Sequence, residues 1–243
     1  MKRLPVLLLL TLAIFTLPAW SNPGKKNKKV LLFYKTAGFY HGSIKPGVPA
    51  IMQLGAENKF IVDTTRDASQ ITPEVLREYK AVIFLNTTGD ILNADQQSAL
   101  EQFIRSGGGF VGIHAATDCE YGWQWYGNLV GAYFGGHPAV QEATLTVKDK
   151  RHPSTTSMAT TFSHKDEWYN FKWIADDIKV LVSIDEKSYK GGTNGDNHPI
   201  SWYHAYDGGR SFYTAMGHTN ENFSDPIFMK HLLGGIKYAI GKK

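Results

Sequence analysis

Short apolar runs alternate with amphipathic segments along the first half of the chain. Uninterrupted apolar runs occur at residues 30–34, 60–62, 81–85 and 110–113. An apolar strand of this kind must be covered on both faces, which is typical of parallel sheets with helices on either side. The alternation therefore predicts a parallel α/β sheet with right-handed crossovers.

The segment between the third and fourth runs carries the signals of a helix. Asn93 is a favourable N-cap residue, and Gln96 follows it at the spacing of a capping box. Leu100, Phe103 and Ile104 then fall on one face of the predicted helix. This helix would connect two neighbouring parallel strands.

The second half is richer in strands. Further strands are predicted at residues 141–147, 179–184, 199–203 and 210–216. A closing helix is predicted from Asp225, a suitable N-cap, and Pro226, which suits the first helical position. We expect one α/β domain over residues 29–243, with a mostly parallel sheet flanked by helices and extra strands in the second half.

The first 21 residues have the pattern of a signal peptide. Two basic residues precede an apolar stretch at residues 4–17, which is short for a membrane span. Ala19 and Ser21 are small residues placed as at a signal-peptidase site. We expect cleavage after Ser21, a basic leader at residues 22–28, and a periplasmic or secreted protein without a membrane anchor. A retained anchor is the alternative, and Pro18 at the end of the apolar stretch argues against it.

The composition excludes several classes of protein. With 42% hydrophobic and 13% aromatic residues, the chain is neither disordered nor collagen-like. The single cysteine, Cys119, excludes an intrachain disulfide and a zinc site built from several cysteines. Without the signal peptide, 26 − 2 = 24 basic residues face 22 acidic ones, so no basic groove for nucleic acid is expected.

A match to the dinucleotide-binding motif is misleading here. Gly107, Gly109 and Gly112 satisfy G-x-G-x-x-G. In that motif the glycines follow a strand and open a helix, so that helix amides meet the pyrophosphate. Here they follow a helix and lead into a strand, so the spacing has no such meaning.

Polar residues follow the predicted parallel strands, where open α/β sheets bind their ligands. His41 lies seven residues beyond the first strand, Asn86 and Thr87 follow the third, and His114 directly follows the fourth. His218 follows the strand at residues 210–216. If these strands are parallel neighbours, the three histidines meet in one crevice; the sequence leaves the strand order open.

His114 is the strongest candidate for chemistry. It ends an apolar strand and is followed by two alanines, as at a nucleophile elbow, where small neighbours let the backbone turn sharply. Imidazole is a poor choice for forming an acyl-enzyme but a good proton carrier or metal ligand. His137, between a glycine pair and Pro138, is a further candidate, and Cys119 lies off the elbow tip.

His164 and Glu167 form an H-x-x-E pattern. On a helical turn the two side chains would share a face, where they could bind a metal or act as an acid–base pair. On a strand they would point apart. A divalent metal such as zinc is left open as a cofactor, and an exposed polar turn is the alternative.

Six segments together resemble the ThuA-like (trehalose-utilisation) family. They are 38–44 (G-F-Y-H-G-S-I), 107–118 (G-G-G-F-V-G-I-H-A-A-T-D), 135–138 (G-G-H-P), 166–169 (D-E-W-Y), 199–202 (P-I-S-W) and 209–218 (G-R-S-F-Y-T-A-M-G-H). The resemblance implies a flavodoxin-like fold of the class I glutamine-amidotransferase type, with His114 in place of the amidotransferase cysteine. It also implies a role in sugar catabolism, notably of disaccharides oxidised to 3-keto forms.

The leading hypothesis is a carbohydrate-processing enzyme that acts on 3-keto-glycosides by histidine acid–base chemistry. The candidate catalytic residues are His114, His41, His164 and Glu167. Candidate substrate contacts are Tyr40, Asn86, Thr87, Asp118, His137, Trp168, Tyr169, Trp202 and His218. The alternatives are a sugar-binding protein without activity and a metal-dependent glycoside hydrolase. The oligomeric state is left open.

Overall fold

The computed structural model of the protein describes residues 28–241. The predicted signal peptide at residues 1–21 and the leader up to residue 27 lie outside the described residues. Among the helices of residues 28–241, none is long and apolar enough to cross a membrane.

Strands and helices alternate in the first half of the described chain, and strands dominate afterwards. The strands are β1 (Lys28–Phe33), β2 (Phe60–Thr65), β3 (Ala81–Leu85), β4 (Gly109–Ile113), β5 (Ala132–Gly136), β6 (Gln141–Val147), β7 (Thr161–Asp166), β8 (Asn170–Ile174), β9 (Lys179–Ile184), β10 (Pro199–Tyr206) and β11 (Gly209–Thr214). The α-helices are α1 (Ile44–Glu57), α2 (Pro73–Leu76), α3 (Ala94–Arg105), α4 (Gln124–Val130) and α5 (Pro226–Ala239).

One nine-stranded sheet forms the centre of the fold. Its strand order is β2-β1-β3-β4-β11-β10-β9-β6-β7. The first five strands in this order pair in parallel, and the remaining pairs are antiparallel. β5 and β8 form a separate antiparallel pair. The α/β architecture and the extra strands of the second half are thus confirmed.

The predicted helix signals are confirmed at both sites. The Asn93 side chain accepts a hydrogen bond from the Gln96 amide, and the Gln96 side-chain oxygen accepts one from the Asn93 amide. The Asp225 side chain caps α5, and Pro226 is the first residue of that helix. These interactions satisfy amide groups that the first turn of a helix leaves without partners.

β5, β7 and β8 were not predicted from the pattern. β7 is an edge strand, and its side chains alternate between exposed and half-buried positions until Asp166. An edge strand with one covered face needs few apolar residues, so its sequence lacks the continuous run that marks the central strands.

Candidate active site

His114 occupies a sharp turn at the end of β4. Its φ angle is 47°, which lies in the left-handed region that a side chain rarely adopts. The residue is wholly buried, and its Nδ1 donates a hydrogen bond to the Ala215 carbonyl oxygen at 2.7 Å. This bond fixes the tautomer and leaves Nε2 facing Glu167 and His218. The sharp backbone turn predicted at this position is therefore present.

His41 and His218 meet His114 at the same edge of the sheet. The ring centroid of His41 lies 5.0 Å from that of His114 and 5.3 Å from that of His218. The convergence follows from the strand order, because β1, β3, β4 and β11 are parallel neighbours. The predicted meeting of the three histidines is confirmed, and their chemical roles stay predictions.

Glu167 completes the cluster from another part of the fold. It follows β7, at the far edge of the sheet, yet its carboxylate lies among the histidines. Its Oε2 is 3.1 Å from His218 Nδ1 and 3.4 Å from His114 Nε2, and its Oε1 is 2.9 Å from His137 Nδ1. Both carboxylate oxygens are therefore engaged by imidazoles.

A buried aspartate holds Glu167 and His218 in position. The Asp166 carboxylate is wholly buried and accepts hydrogen bonds from the amides of Glu167 and Gly217, at 3.0 and 2.8 Å. It also accepts bonds from the Thr219 amide at 3.3 Å and from Asn222 Nδ2 at 2.9 Å. One carboxylate thus fixes the backbone on both sides of the cluster.

Burial and mutual contact set the protonation of the cluster. Burial, together with smaller effects of the neighbouring His114 and His218, lowers the pKa of His41 to about 3, so this ring is neutral at neutral pH. Burial alone would raise the pKa of Glu167, but hydrogen bonds with His114 and His218 outweigh it and hold the pKa well below its usual range. Burial would lower the pKa of His218, and its contact with Glu167 reverses this and raises it.

The cluster forms one end of a pocket of about 290 Å³. The lining residues are Phe39, His41, Asp118, Phe134, His137, Glu167, Tyr169 and His218. The Tyr169 ring packs on His114 with a centroid distance of 4.1 Å, and Phe134 packs on Tyr169 at 4.3 Å. Burial raises the pKa of Asp118, whose Oδ1 accepts a hydrogen bond from the Tyr121 hydroxyl at 2.6 Å. The pocket therefore joins aromatic walls to a polar, histidine-rich end.

His164 does not belong to this cluster, which corrects one prediction. It lies on β7, opposite Ala143 of β6, rather than on a helical turn with Glu167. Its Nε2 donates a hydrogen bond to Asn222 Oδ1 at 2.8 Å, and Asn222 in turn contacts Asp166. The extended backbone separates the two side chains of the H-x-x-E pattern, and His164 supports the cluster through Asn222 and through Asp166, whose Oδ2 lies 4.0 Å from its Nε2.

Two predicted sugar contacts are core residues instead. Trp168 and Trp202 are wholly buried, and their Nε1 atoms donate hydrogen bonds to the carbonyl oxygens of Gln141 and Val130. A fully buried indole that already has its hydrogen-bond partner fits a core position. Neither residue lines the pocket.

Three polar or aromatic candidates also lie elsewhere. Asn86 is wholly buried and donates hydrogen bonds to Ser43 Oγ and the Gly217 carbonyl, so it ties strand ends together. Thr87 is wholly buried too. Tyr40 is exposed and lines a neighbouring pocket with Tyr34 and other residues. Of the predicted contacts, Asp118, His137, Tyr169 and His218 line the pocket.

Three residues of the site are not among the candidates named from the sequence. Phe39 and Phe134 line the pocket, and Asp166 positions its polar end. Phe39 precedes His41 by two residues and contacts its ring edge to face, so its place beside a candidate histidine was an available signal. No pattern in the sequence marks Phe134, and Asp166 lies in the family-like segment 166–169 without a role of its own, because both positions depend on β5 and β7.

Four of the clustered side chains have the composition of a metal site. One potential ligand atom from each of His41, His114, Glu167 and His218 lies within 4.8 Å of the others.

His198, a histidine outside this group, bonds the Tyr169 carbonyl oxygen through Nε2 and Glu186 through Nδ1. It thereby supports the pocket wall.

Replacing Cys119 with alanine should leave activity within a few fold of the wild type. Cys119 is wholly buried, its Sγ contacts the Gly89 carbonyl oxygen, and burial raises the pKa of its thiol well above the usual value. A protonated thiol outside the pocket is a poor nucleophile. Initial rates of the purified variant test this, and a loss of about 10³-fold would point to thiol chemistry instead.

Comparison with known proteins agrees with the fold and the motifs. The chain is similar to ThuA-like proteins of known structure from Bacteroides uniformis (26% identity, TM-score 0.77, covering 94% of this chain and 97% of that one) and Parabacteroides merdae (21%, 0.73, 89% and 91%). A β-galactosidase from Bacillus circulans shares the fold over 31% of its length (14% identity, TM-score 0.59, 89% of this chain). No curated protein matches the chain.

The family comparison covers nearly the whole described region. The sequence model of the family described as ThuA, trehalose utilisation, matches residues 29–239. That range includes every strand after the first residue of β1, all five α-helices and every residue that lines the pocket. The chain therefore belongs to the ThuA family, whose description links it to carbohydrate metabolism.

Proposed function

We propose that this pocket is the active site of an extracytoplasmic enzyme that acts on a carbohydrate, specifically a 3-keto-glycoside. The observation that carries the proposal is the convergence of His41, His114, His218 and Glu167 at one end of an aromatic-walled pocket. Such a group can move protons at neutral pH, because imidazole side chains gain and lose a proton in this range.

The pocket walls suit a sugar ring. Phe39, Phe134 and Tyr169 offer flat apolar faces, while Asp118 and His137 offer polar groups at the same cavity. A sugar ring has an apolar face of C–H groups and a rim of hydroxyls, so it matches walls of both kinds. The trehalose-utilisation family supports the same class of ligand.

The chemistry begins at a carbon next to the ketone. The carbonyl acidifies that C–H bond, a neutral imidazole takes the proton, and the C–H electron pair forms a C=C bond while the oxygen gains negative charge. Return of the proton to the opposite face gives the epimer. Return to the former carbonyl carbon, with a hydroxyl proton shifting to the other oxygen, gives the isomeric ketone. Departure of the glycosidic oxygen, which takes a proton as it leaves, gives an unsaturated sugar and an alcohol.

Tyr169 is suited to stabilise the developing oxyanion. Burial raises the pKa of its hydroxyl well above the usual value, so the group stays protonated and can donate. Within residues 28–241 this hydroxyl has no hydrogen-bond partner, although the residue lines the pocket. A hydrogen bond to the charged oxygen of the transition state lowers the barrier more than one to the neutral ketone.

Hydrogen exchange in deuterated water tests the proposal directly. All three outcomes share the first step, so a 3-keto-disaccharide incubated with the enzyme in D₂O should gain deuterium next to the ketone, as followed by NMR. The unoxidised disaccharide should not, because its C–H bonds are not acidified. Binding of the keto-sugar without exchange or turnover would favour a sugar-binding protein. Cleavage of the unoxidised disaccharide would favour a glycoside hydrolase.

Replacing Tyr169 with phenylalanine should slow turnover of the keto-sugar by about 10–100-fold at an unchanged melting temperature. The variant keeps the ring that packs on His114 and loses only the hydroxyl. A reduction of this size equals, or is somewhat smaller than, the one usually seen when a hydrogen-bond donor to the transition state is removed. Rates and melting curves of the same preparation check this, and an unchanged rate would remove Tyr169 from the mechanism.

The mature protein should begin near Asn22 and be found outside the cytoplasm. The small residues at positions 19 and 21 and the short apolar stretch before them support this. N-terminal sequencing of material from the periplasm or medium tests it. A protein that begins at Met1 and stays with the membrane fraction would contradict the proposed location and leave the pocket chemistry unaffected.

A further inference from the structure

We propose that His41, His114, His218 and Glu167 bind a divalent first-row metal ion, with zinc as the first candidate. The proposal concerns the pocket described above but does not depend on the substrate, because it rests on the ligand atoms alone. Three imidazoles and one carboxylate form a nitrogen and oxygen ligand set that suits zinc and related ions.

The distances between the candidate ligand atoms match a tetrahedral site. His218 Nδ1 lies 3.1 Å from Glu167 Oε2 and 3.2 Å from His114 Nε2, and His114 Nε2 lies 3.4 Å from Glu167 Oε2. With metal–ligand bonds of about 2.0–2.1 Å, ligand atoms around a tetrahedral ion stand about 3.3 Å apart. The three atoms thus already form one face of such a tetrahedron.

The hydrogen bonds around the cluster direct lone pairs toward its centre. His114 Nδ1 must carry its proton, because its partner is the Ala215 carbonyl oxygen, which only accepts. In neutral His114 the lone pair of Nε2 therefore faces the Glu167 carboxylate, another acceptor. Two acceptors at this distance repel each other unless a proton or a metal cation lies between them. A metal ion supplies that charge, and a backbone carbonyl behind a histidine ligand is a common outer partner in metal sites.

His41 contributes a second, independent observation. It is only 3% exposed, and its Nδ1 is a buried polar atom without a hydrogen-bond partner in the described part of the chain. An unpaired buried polar group costs stability unless something else satisfies it. One ring nitrogen of His41 lies within 4.8 Å of the other candidate ligand atoms, so His41 would be the fourth ligand of the same ion.

The position of the cluster would place the ion where a ligand can reach it. His41, Glu167 and His218 line the pocket, so its polar end is open to a small molecule. A bound divalent ion there would polarise a substrate carbonyl or hydroxyl oxygen as a Lewis acid. His137 contacts the other carboxylate oxygen of Glu167 and would thereby orient the Glu167 carboxylate toward the ion.

Metal binding can be measured without any substrate. Protein stripped with a chelator should take up one Zn²⁺ per chain in a calorimetric titration, and its melting temperature should rise with added zinc. His114→Asn and Glu167→Gln should weaken the affinity by at least about 100-fold, more than loss of an outer partner does. His204→Asn is the matched control, since this buried histidine bonds Asp177 and the Leu129 carbonyl oxygen rather than any residue of the cluster, and it should bind zinc as the wild type does. Equal affinity in all four proteins, or no uptake by the wild type, would overturn the proposal.

A spectroscopic measurement needs no variant. Co²⁺ added to the stripped wild-type protein should produce the strong visible absorption of a four-coordinate site with nitrogen and oxygen ligands. The weak spectrum of hydrated Co²⁺ alone would contradict the proposal. Because neither experiment uses a sugar, a negative result here leaves the proposed carbohydrate chemistry standing, and the deuterium exchange experiment tests that chemistry separately.

Discussion

A protein with asparagine in place of His114 should fold normally and turn over a keto-sugar about 10²–10⁴-fold more slowly than the wild type. The asparagine amide can still donate toward the Ala215 carbonyl oxygen, and asparagine tolerates the positive φ of this position better than most residues. What it cannot supply is the nitrogen lone pair at Nε2, which faces Glu167 and His218. Either proton transfer or metal binding would need that lone pair.

A purely structural role for His114 predicts a loss of stability without a loss of rate. If it only fills the core, the variant should lose about 1–3 kcal/mol of stability while each folded molecule keeps its rate. His231→Asn is the matched control, because this wholly buried histidine bonds Ser201 and the Ser154 carbonyl oxygen, and none of the three residues lines the pocket. Melting curves and initial rates of both variants separate the two cases. An unchanged rate in a destabilised His114 variant would refute the catalytic assignment.

Replacing Asp166 with alanine should cost about 3–5 kcal/mol of unfolding free energy and abolish the function of the pocket. The substitution leaves four donors without their acceptor: the amides of Glu167, Gly217 and Thr219 and the Asn222 side chain. Buried donors without partners are expensive. The three amides belong to Glu167 and to the two neighbours of His218, so the cluster should lose its geometry even in molecules that remain folded.

Denaturant unfolding measures the free energy lost in Asp166→Ala, and a variant of a second aspartate serves for comparison. Asp225→Ala removes a single side-chain cap from the start of α5 and should cost only about 1 kcal/mol. If the two alanine variants are equally stable, the Asp166 network contributes little. If Asp166→Ala is destabilised but keeps full affinity for zinc and full activity, its positioning role is wrong.

The half of the site that belongs to parallel strands could be predicted from the sequence. Continuous apolar runs identified β1, β3 and β4, and the residues after such strands meet at one sheet edge. Candidate positions at His41, His114 and His218 followed from this rule. The strand order that brings them together needed the structure, since nothing local in a strand specifies its neighbour.

The other half of the site depends on edge and antiparallel elements that local patterns describe poorly. Glu167 follows β7, whose half-exposed side chains give no strand signal, so the H-x-x-E spacing does not distinguish a helical turn from a strand. The extended backbone makes His164 a partner of Asn222 instead. Trp202 was predicted to contact a sugar because aromatic residues suit both sugars and cores, and only its burial distinguishes the two.

The distance along the chain between the pocket residues has a consequence for how the protein folds. His41 and His218 are 218 − 41 = 177 residues apart, and Glu167 reaches them from the opposite edge of the nine-stranded sheet. Contacts between such distant residues close large loops, and loop closure lowers the entropy of the chain. These contacts therefore form only after local structure has already restricted the chain. The pocket should therefore be among the last parts of the molecule to form, and any ion or ligand that binds it should slow global unfolding rather than assist the first folding steps.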